Sequence, residues 1–204
     1  MSAPRPDGVA EHVITTSEAM GLLGERIGAV LRRGDLVILS GELGAGKTTL
    51  TRGIGAGMRV RGPVTSPTFV LARVHPPLVD GGVPLVHVDA YRLGSAVELL
   101  DLDLDFEGAA VVVEWGDGLL DGVADSWLRV RIERATGADA AGAEPGADAS
   151  GGDRHGWRAA SQLEPAVRDG ARHSAHGTDF DGDAPRAVRL EGHGPGWADL
   201  RGLA

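Results

Sequence analysis

Asp35-Leu36-Val37-Ile38-Leu39-Ser40-Gly41-Glu42-Leu43-Gly44-Ala45-Gly46-Lys47-Thr48-Thr49 is the stretch that decides the fold. Residues 35–40 are a short run of branched apolar side chains, suited to a strand buried on both faces. Residues 41–48 fit G-x-x-x-x-G-K-[ST] between that strand and a helix predicted over residues 47–58, which is the context the phosphate-binding loop requires. Glycines let backbone N–H groups converge on phosphate oxygens, and the helix N-terminus adds positive potential. The lysine reaches the β- and γ-phosphates, and the Thr48 hydroxyl is the group that holds Mg²⁺.

Working outward, Thr15, Thr16 and Ser17 offer N-cap hydroxyls before residues 19–33, where Met20, Leu23, Ile27, Val30 and Leu31 keep helical spacing up to Gly34. Residues 64–74, 85–88, 110–113 and 127–133 read as further strands, and residues 96–100 as a helix. A strand, glycine turn and helix followed by more strands predicts an α/β P-loop fold of three layers with a largely parallel central sheet. Residues 135–184 contain Trp157, Leu163, Val167 and Phe180 as their only large apolar side chains. So few anchors cannot offset about 1 to 2 kcal/mol of backbone entropy per residue, so the stretch reads as a disordered insertion. Strand character returns at 186–191, and pairing it with 127–133 predicts a C-terminal antiparallel hairpin whose turn the insertion has swollen. The expected organisation is a flexible start (1–10), a core (11–134), the insertion (135–184) and a returning strand with a tail (185–204).

The 204 residues contain no cysteine, which excludes disulfides, thiolate metal sites and a cysteine nucleophile. No apolar run approaches the roughly 20 residues of a membrane span, and the start lacks a signal-peptide core, so a cytoplasmic protein is expected. A net charge of -9 argues against tight binding of nucleic acid by this chain alone. Of its 20 Lys and Arg residues only Lys47 is lysine. A slim point charge fits a phosphate cradle where a planar guanidinium does not. A guanine-reading N-K-x-D signature would need a second lysine, so ATP is favoured over GTP.

Asp89 in HVDAYR (87–92) and Glu114 in VVVEW (111–115) each end an apolar strand, where a carboxylate can hold Mg²⁺ or orient an attacking water. In an extended chain His87, Asp89 and Tyr91 would share one face. Thr65, Ser66, Pro67 and Thr68 gather hydroxyls around a proline at the entry to the 64–74 strand. Asp101, Asp103 and Asp105 lack the glycine and glutamate of a calcium loop and read as a solvated acidic face or a docking patch. His173 and His176 with Asp179 carry metal-ligating groups, but they fall in the insertion, where a fixed metal site is not expected.

GELGAGKTT (41–49), SPTF (66–69), HVDAYRL (87–93) and EW (114–115), in this order and spacing, resemble the TsaE family, also called YjeE. The likeness covers roughly residues 10–134 and resumes at 186–192. The family is one of small bacterial P-loop ATPases needed for threonylcarbamoyladenosine modification of tRNA. The resemblance implies ATP and Mg²⁺ as cofactors and TsaD and TsaB as partners. TsaD would transfer the threonylcarbamoyl group to position 37 of tRNAs reading ANN codons while this chain hydrolyses ATP, and tRNA would be met only through the complex. It implies nucleotide contacts along Glu42, Leu43, Gly44, Ala45, Gly46, Lys47, Thr48 and Thr49. Thr48 and Glu114 would hold Mg²⁺, Asp89 would be the essential acid near the γ-phosphate, and Thr65, Ser66, Pro67 and Thr68 would be switch-like. Ser17 and Asp117 are implied at the purine end. Gly116, where many relatives carry a bulkier residue or proline, and the insertion depart from the family pattern.

Two other readings share the cradle. A P-loop small-molecule kinase would need lid arginines, for which Arg52, Arg59, Arg61 and Arg73 are the candidates. A nucleotide-binding module without hydrolysis would have no use for Asp89 and Glu114.

Overall fold

The computed structural model describes residues 5–118, 124, 126–134 and 184–204, so the insertion expected at 135–184 lies outside the described residues except for Ala184. The described residues form one seven-stranded sheet. In chain order the elements are β1 (Gly8–Ile14), α1 (Ser17–Val30), β2 (Leu36–Gly41), α2 (Lys47–Gly57), β3 (Ala72–His75) and β4 (Leu85–Asp89), then α3 (Ala96–Leu100), β5 (Ala110–Glu114), β6 (Trp127–Arg134) and β7 (Arg186–His193). Across the sheet the strand order is β1-β7-β6-β2-β5-β4-β3. The centre, β6-β2-β5-β4, is parallel, whereas β1 on β7, β7 on β6 and β3 on β4 are antiparallel. The sheet is therefore mixed, and the expectation of a largely parallel sheet holds only for its middle.

Alternation along β2 divides the core. Val37 and Leu39 meet α1 and α2 through Met20, Leu23, Ile27, Leu50 and Ile54, while Leu36 and Ile38 face the opposite side with Val86, Val88, Val111 and Val113. That second side is covered by Leu99 of α3 and by Leu102, Leu104 and Phe106 of the following loop, so the third layer is thin. Every residue of β4 and β5 is buried, as strands covered on both faces must be.

The α1 N-cap is Thr16, whose hydroxyl accepts from the Ala19 N–H at 3.1 Å. The helix stops at Val30, short of the expected Arg33, because Leu31 turns extended and the Asp35 carboxylate captures the Arg32 N–H at 2.6 Å. The glycines that weaken α2 in isolation have a packing reason. A Cβ at Gly53 would strike the Gly21 carbonyl oxygen of α1, and one at Gly28 of α1 would strike the Ile54 carbonyl of α2. The two helices touch backbone to backbone, which fixes α2 closely beside α1.

Three expectations need correction. The strand expected over 64–74 is confined to Ala72–His75, because Pro67 has no N–H to offer a ladder and its carbonyl instead closes a turn with the Val70 N–H at 2.8 Å. The core begins at Gly8 and not at residue 11, because β1 pairs with β7 along its whole length. Tyr91 does not continue the face of His87 and Asp89, because a turn of 3₁₀ helix, Ala90–Arg92, starts directly after β4. Among the described residues no helix is long and apolar enough to cross a membrane.

The facing ends of β6 and β7 are cross-strand partners, Arg134 opposite Arg186. Removing residues 138–183 would join Ala135-Thr136-Gly137 to Ala184-Pro185, a glycine-containing loop of hairpin length. The expected result is a melting temperature within a few degrees of the full chain. A large loss of stability would mean that Trp157, Leu163 or Phe180 packs on the core.

Candidate functional site

The three strands that matter end side by side. β2 runs into the glycine loop, and β4 and β5 end in Asp89 and Glu114, which are paired in register. Crevices beyond the carboxyl ends of parallel strands are where open α/β sheets bind ligands. The loop can turn there because Gly44 and Gly46 adopt φ of 73° and 112°, in the region L side chains avoid. Gly46 then serves as the N-cap of α2.

Lys47 is 5% exposed. Its ammonium donates to the carbonyls of Gly41 at 2.8 Å and Glu42 at 2.9 Å and lies 3.5 Å from the centre of the Trp115 ring. Carbonyl dipoles and the negative face of an indole are what a buried cation needs. Trp115 holds this position with φ of 65°, anchored by its N–H on the Leu39 carbonyl at 2.9 Å and by Tyr91, whose ring meets it edge-on at 5.2 Å.

Glu114, 3% exposed, accepts the Thr48 hydroxyl at 3.1 and 3.3 Å on its two oxygens and His87 Nε2 at 2.8 Å on Oε1. Asp89 accepts the Thr68 hydroxyl at 2.6 Å on Oδ2 and the Tyr91 N–H at 3.0 Å on Oδ1. Ser66 and Thr68 share a hydrogen bond at 2.7 Å, so the threonine-rich segment is tied to the strand-end acid. Arg73 donates to the Thr65 hydroxyl at 2.9 Å, and the Arg92 guanidinium donates to the Thr68 carbonyl. Away from the cleft, His75 lies opposite Leu85 at the start of β4 and is held below its ordinary pKa by burial, then by the charges of His87 and Arg73.

These groups surround a cleft of about 210 Å³ lined by Leu43, Gly44, Gly46, Lys47, Thr48, Ser66, Thr68, Asp89, Glu114 and Trp115. The structure therefore brings together the lysine, the hydroxyl and both carboxylates that the sequence singles out. Ala45 packs in the hydrophobic core and Thr49 is buried, and neither is among the residues lining the cleft. Glu42 is exposed on the loop and meets the site through its carbonyl. Asp117 lies in a neighbouring cleft of about 260 Å³ with Ser40, Gly41, Arg131, Ile132 and Glu133, within 3.0 Å of Arg129 and 3.4 Å of Arg131. Ser17 is exposed at the start of α1 and lines neither cleft.

The donor set fits magnesium carried by a phosphate. Thr48, Glu114 and Asp89 are hard oxygen ligands, and Mg²⁺ is usually held by one or two carboxylates plus substrate phosphates. Among the described residues no group of three or more His, Cys, Asp or Glu could hold a metal by itself. Two contacts went unread in the sequence, His87 on Glu114 and Arg92 on Thr68. The sequence placed His87 on the face of Asp89, but its partner is Glu114, which only the pairing of β4 with β5 brings to that face.

Residues 14–141 match the family model described as "Threonylcarbamoyl adenosine biosynthesis protein TsaE". A protein of Streptomyces coelicolor named tRNA threonylcarbamoyladenosine biosynthesis protein TsaE is 61% identical over 118 residues, which cover 56% of this chain and 79% of that protein. The Mycobacterium bovis protein of the same name is 52% identical over 125 residues, 57% of this chain and 74% of the relative. The crystal structure of Bacillus subtilis YdiB superposes with a TM-score of 0.57 at 22% identity, covering 93% of this chain and 89% of that one, a likeness of fold. With the motifs, the cleft and these matches in agreement, the chain belongs to the TsaE family of threonylcarbamoyladenosine biosynthesis proteins.

Proposed function

We propose that this chain binds ATP with Mg²⁺ in the glycine-loop cleft and hydrolyses it in the cytoplasm, as the ATPase subunit of a TsaD- and TsaB-containing complex. That complex would install threonylcarbamoyladenosine at position 37 of tRNAs reading ANN codons. The observation that carries this reading is the convergence of Lys47, Thr48, Asp89 and Glu114 on one cleft at the N-terminus of α2. The metal would neutralise phosphate charge and polarise water when bound, with Thr48 and Glu114 as its protein ligands. Gly44 to Thr48 would cradle the phosphates and Asp89 would orient the attacking water, with Thr65 to Thr68 as the segment able to respond to the γ-phosphate. Ser17 and Asp117 stand as proposed contacts at the purine end.

Charge and exposure support dependence on partners. A chain at -9 needs other subunits to grip RNA. Phe69 is 94% exposed beside the cleft, and with residues 64–69 and the acidic stretch 98–107 it offers docking surface. A kinase is the weaker reading. Arg52 donates to the Val64 carbonyl at 3.3 Å and Arg73 to the Thr65 hydroxyl, so both are spent on the segment beside the cleft.

Lys47→Ala tests the cradle. An ammonium about 4 Å from a phosphate charge contributes about 4 kcal/mol at an effective dielectric of about 20, before desolvation is subtracted. Even half of that is more than about tenfold in affinity, so calorimetry should find ATP binding weakened at least to that extent. Equal affinities would refute the assignment. Asp89→Asn and Glu114→Gln should lower hydrolysis within the complex more than they lower ATP affinity, because the loop still holds the phosphates. A variant hydrolysing at the wild-type rate would mark its residue as structural.

Depleting the protein in its host should remove threonylcarbamoyladenosine from tRNA, read by mass spectrometry of tRNA nucleosides. An unchanged level, with no second copy of the gene, would reject the proposed role and favour the kinase.

A further inference from the structure

We propose that His87 is a positioning residue, a buried imidazole on β4 that donates Nε2–H to Glu114 Oε1 of β5 and so holds the carboxylate where it meets Thr48 and magnesium. This rests on the reading of Glu114 as a magnesium ligand. Of the two side chains that bond to Glu114, His87 makes the closer contact, 2.8 Å against 3.1 and 3.3 Å for a Thr48 hydroxyl divided between both oxygens. The Thr48 hydroxyl is also the group a P-loop presents to the metal, so it serves two partners. The imidazole has no such second duty.

Placement favours a fixed hold. β4 and β5 are parallel neighbours with His87 opposite Val112 and Asp89 opposite Glu114, so the ring reaches along the shared face to the diagonal neighbour. His87 has no exposed surface. Its ring is constrained by two side-chain torsions, whereas Glu114 has three to settle. A carboxylate only accepts, so the shared proton sits on Nε2. Among the described residues His87 Nδ1 is buried without a hydrogen-bond partner, so none of them competes to turn the ring. Partners outside the ligand shell that orient a metal ligand are commonly a carboxylate on a histidine. Here the roles are exchanged, with the histidine orienting the carboxylate.

The function of such a hold is specific. Losing it should disturb the metal and spare the phosphate cradle, which is built from the loop and Lys47. The test uses the full chain with a fluorescent ATP analogue, titrated with Mg²⁺ and also measured in EDTA, with thermal melting as a check on folding. His87→Leu removes the donor. His87→Gln puts an amide N–H near the position of Nε2, and His87→Asn keeps an amide but draws it back out of reach.

In EDTA all variants should bind the analogue within about twofold of wild type, while Leu and Asn raise the Mg²⁺ needed for half-maximal effect by about tenfold or more and Gln recovers most of that shift. Wild-type Mg²⁺ dependence in Leu and Asn would overturn the proposal. So would a Gln variant as impaired as Asn, or a loss in EDTA as large as that with Mg²⁺. If the Leu variant does not fold, the Gln and Asn pair decides. A wild-type chain that binds the analogue without any response to Mg²⁺ would reject the magnesium reading of Glu114 itself, a result separable from failure of the His87 hold.

Discussion

The structure is organised around two carboxylates that have to be buried. Asp89 and Glu114 end adjacent parallel strands in register, each about 95% or more withdrawn from water. A buried carboxylate without donors is far too costly to persist as an ion, so each must be given partners from elements that can be brought close. Glu114 draws Thr48 from the start of α2 and His87 from β4; Asp89 draws Thr68 from the preceding loop and the Tyr91 N–H of the turn after β4. Helix, strand and loop are thereby set around one cleft by the need to satisfy two charges.

α2 is kept in place over the sheet beside α1, and the glycines explain how closely the two helices pack. Gly53 and Gly57 of α2 lie on the carbonyls of Gly21 and Glu25, while Gly24 and Gly28 of α1 lie on those of Leu50 and Ile54. Each glycine costs about 1 kcal/mol of helix propensity relative to alanine. The cost is offset by contact along both helices and by the burial of Leu23, Ile27, Leu50 and Ile54 beneath them. A bulkier seam would push α1 and α2 apart and shift the helix that carries Thr48.

How much of this could be read from the sequence follows from which signals are local. The loop, Asp89, Glu114 and α3 were legible because motif spacing and an apolar run ending in an acid are written within a few residues. β1 was hidden because its pattern is inverted. On this edge strand Val9 and Val13 face solvent while Ala10 and Ile14 face the core, and the half-buried His12 is pushed below its ordinary pKa by burial and then by Arg26. Residues 64–71 resembled a strand in composition, yet their backbone is engaged by a proline turn and by Asp89, whose N–H binds the Leu71 carbonyl at 2.8 Å. The separation of Asp117 from the glycine-loop cleft depends on Arg129 and Arg131 of β6, a long-range pairing no local window contains.

The lone lysine is where composition and geometry meet most closely. Lys47 occupies a slot bounded by two main-chain carbonyls and the face of an indole, and a compact ammonium can point donors at both oxygens while its remaining side rests on the ring. A guanidinium in that slot would have to lay its plane along the indole to keep the stacking, which would turn its N–H groups sideways from the carbonyls. Trp115 is held against the ammonium by a backbone conformation that costs on the order of 1–3 kcal/mol for a residue with a side chain. Such strain persists only where surroundings over-determine it, and here the Leu39 carbonyl, the Tyr91 ring and the Lys47 charge all act on the one residue. The same ring that steadies the lysine lines the cleft, so whatever enters to meet the ammonium also meets the indole.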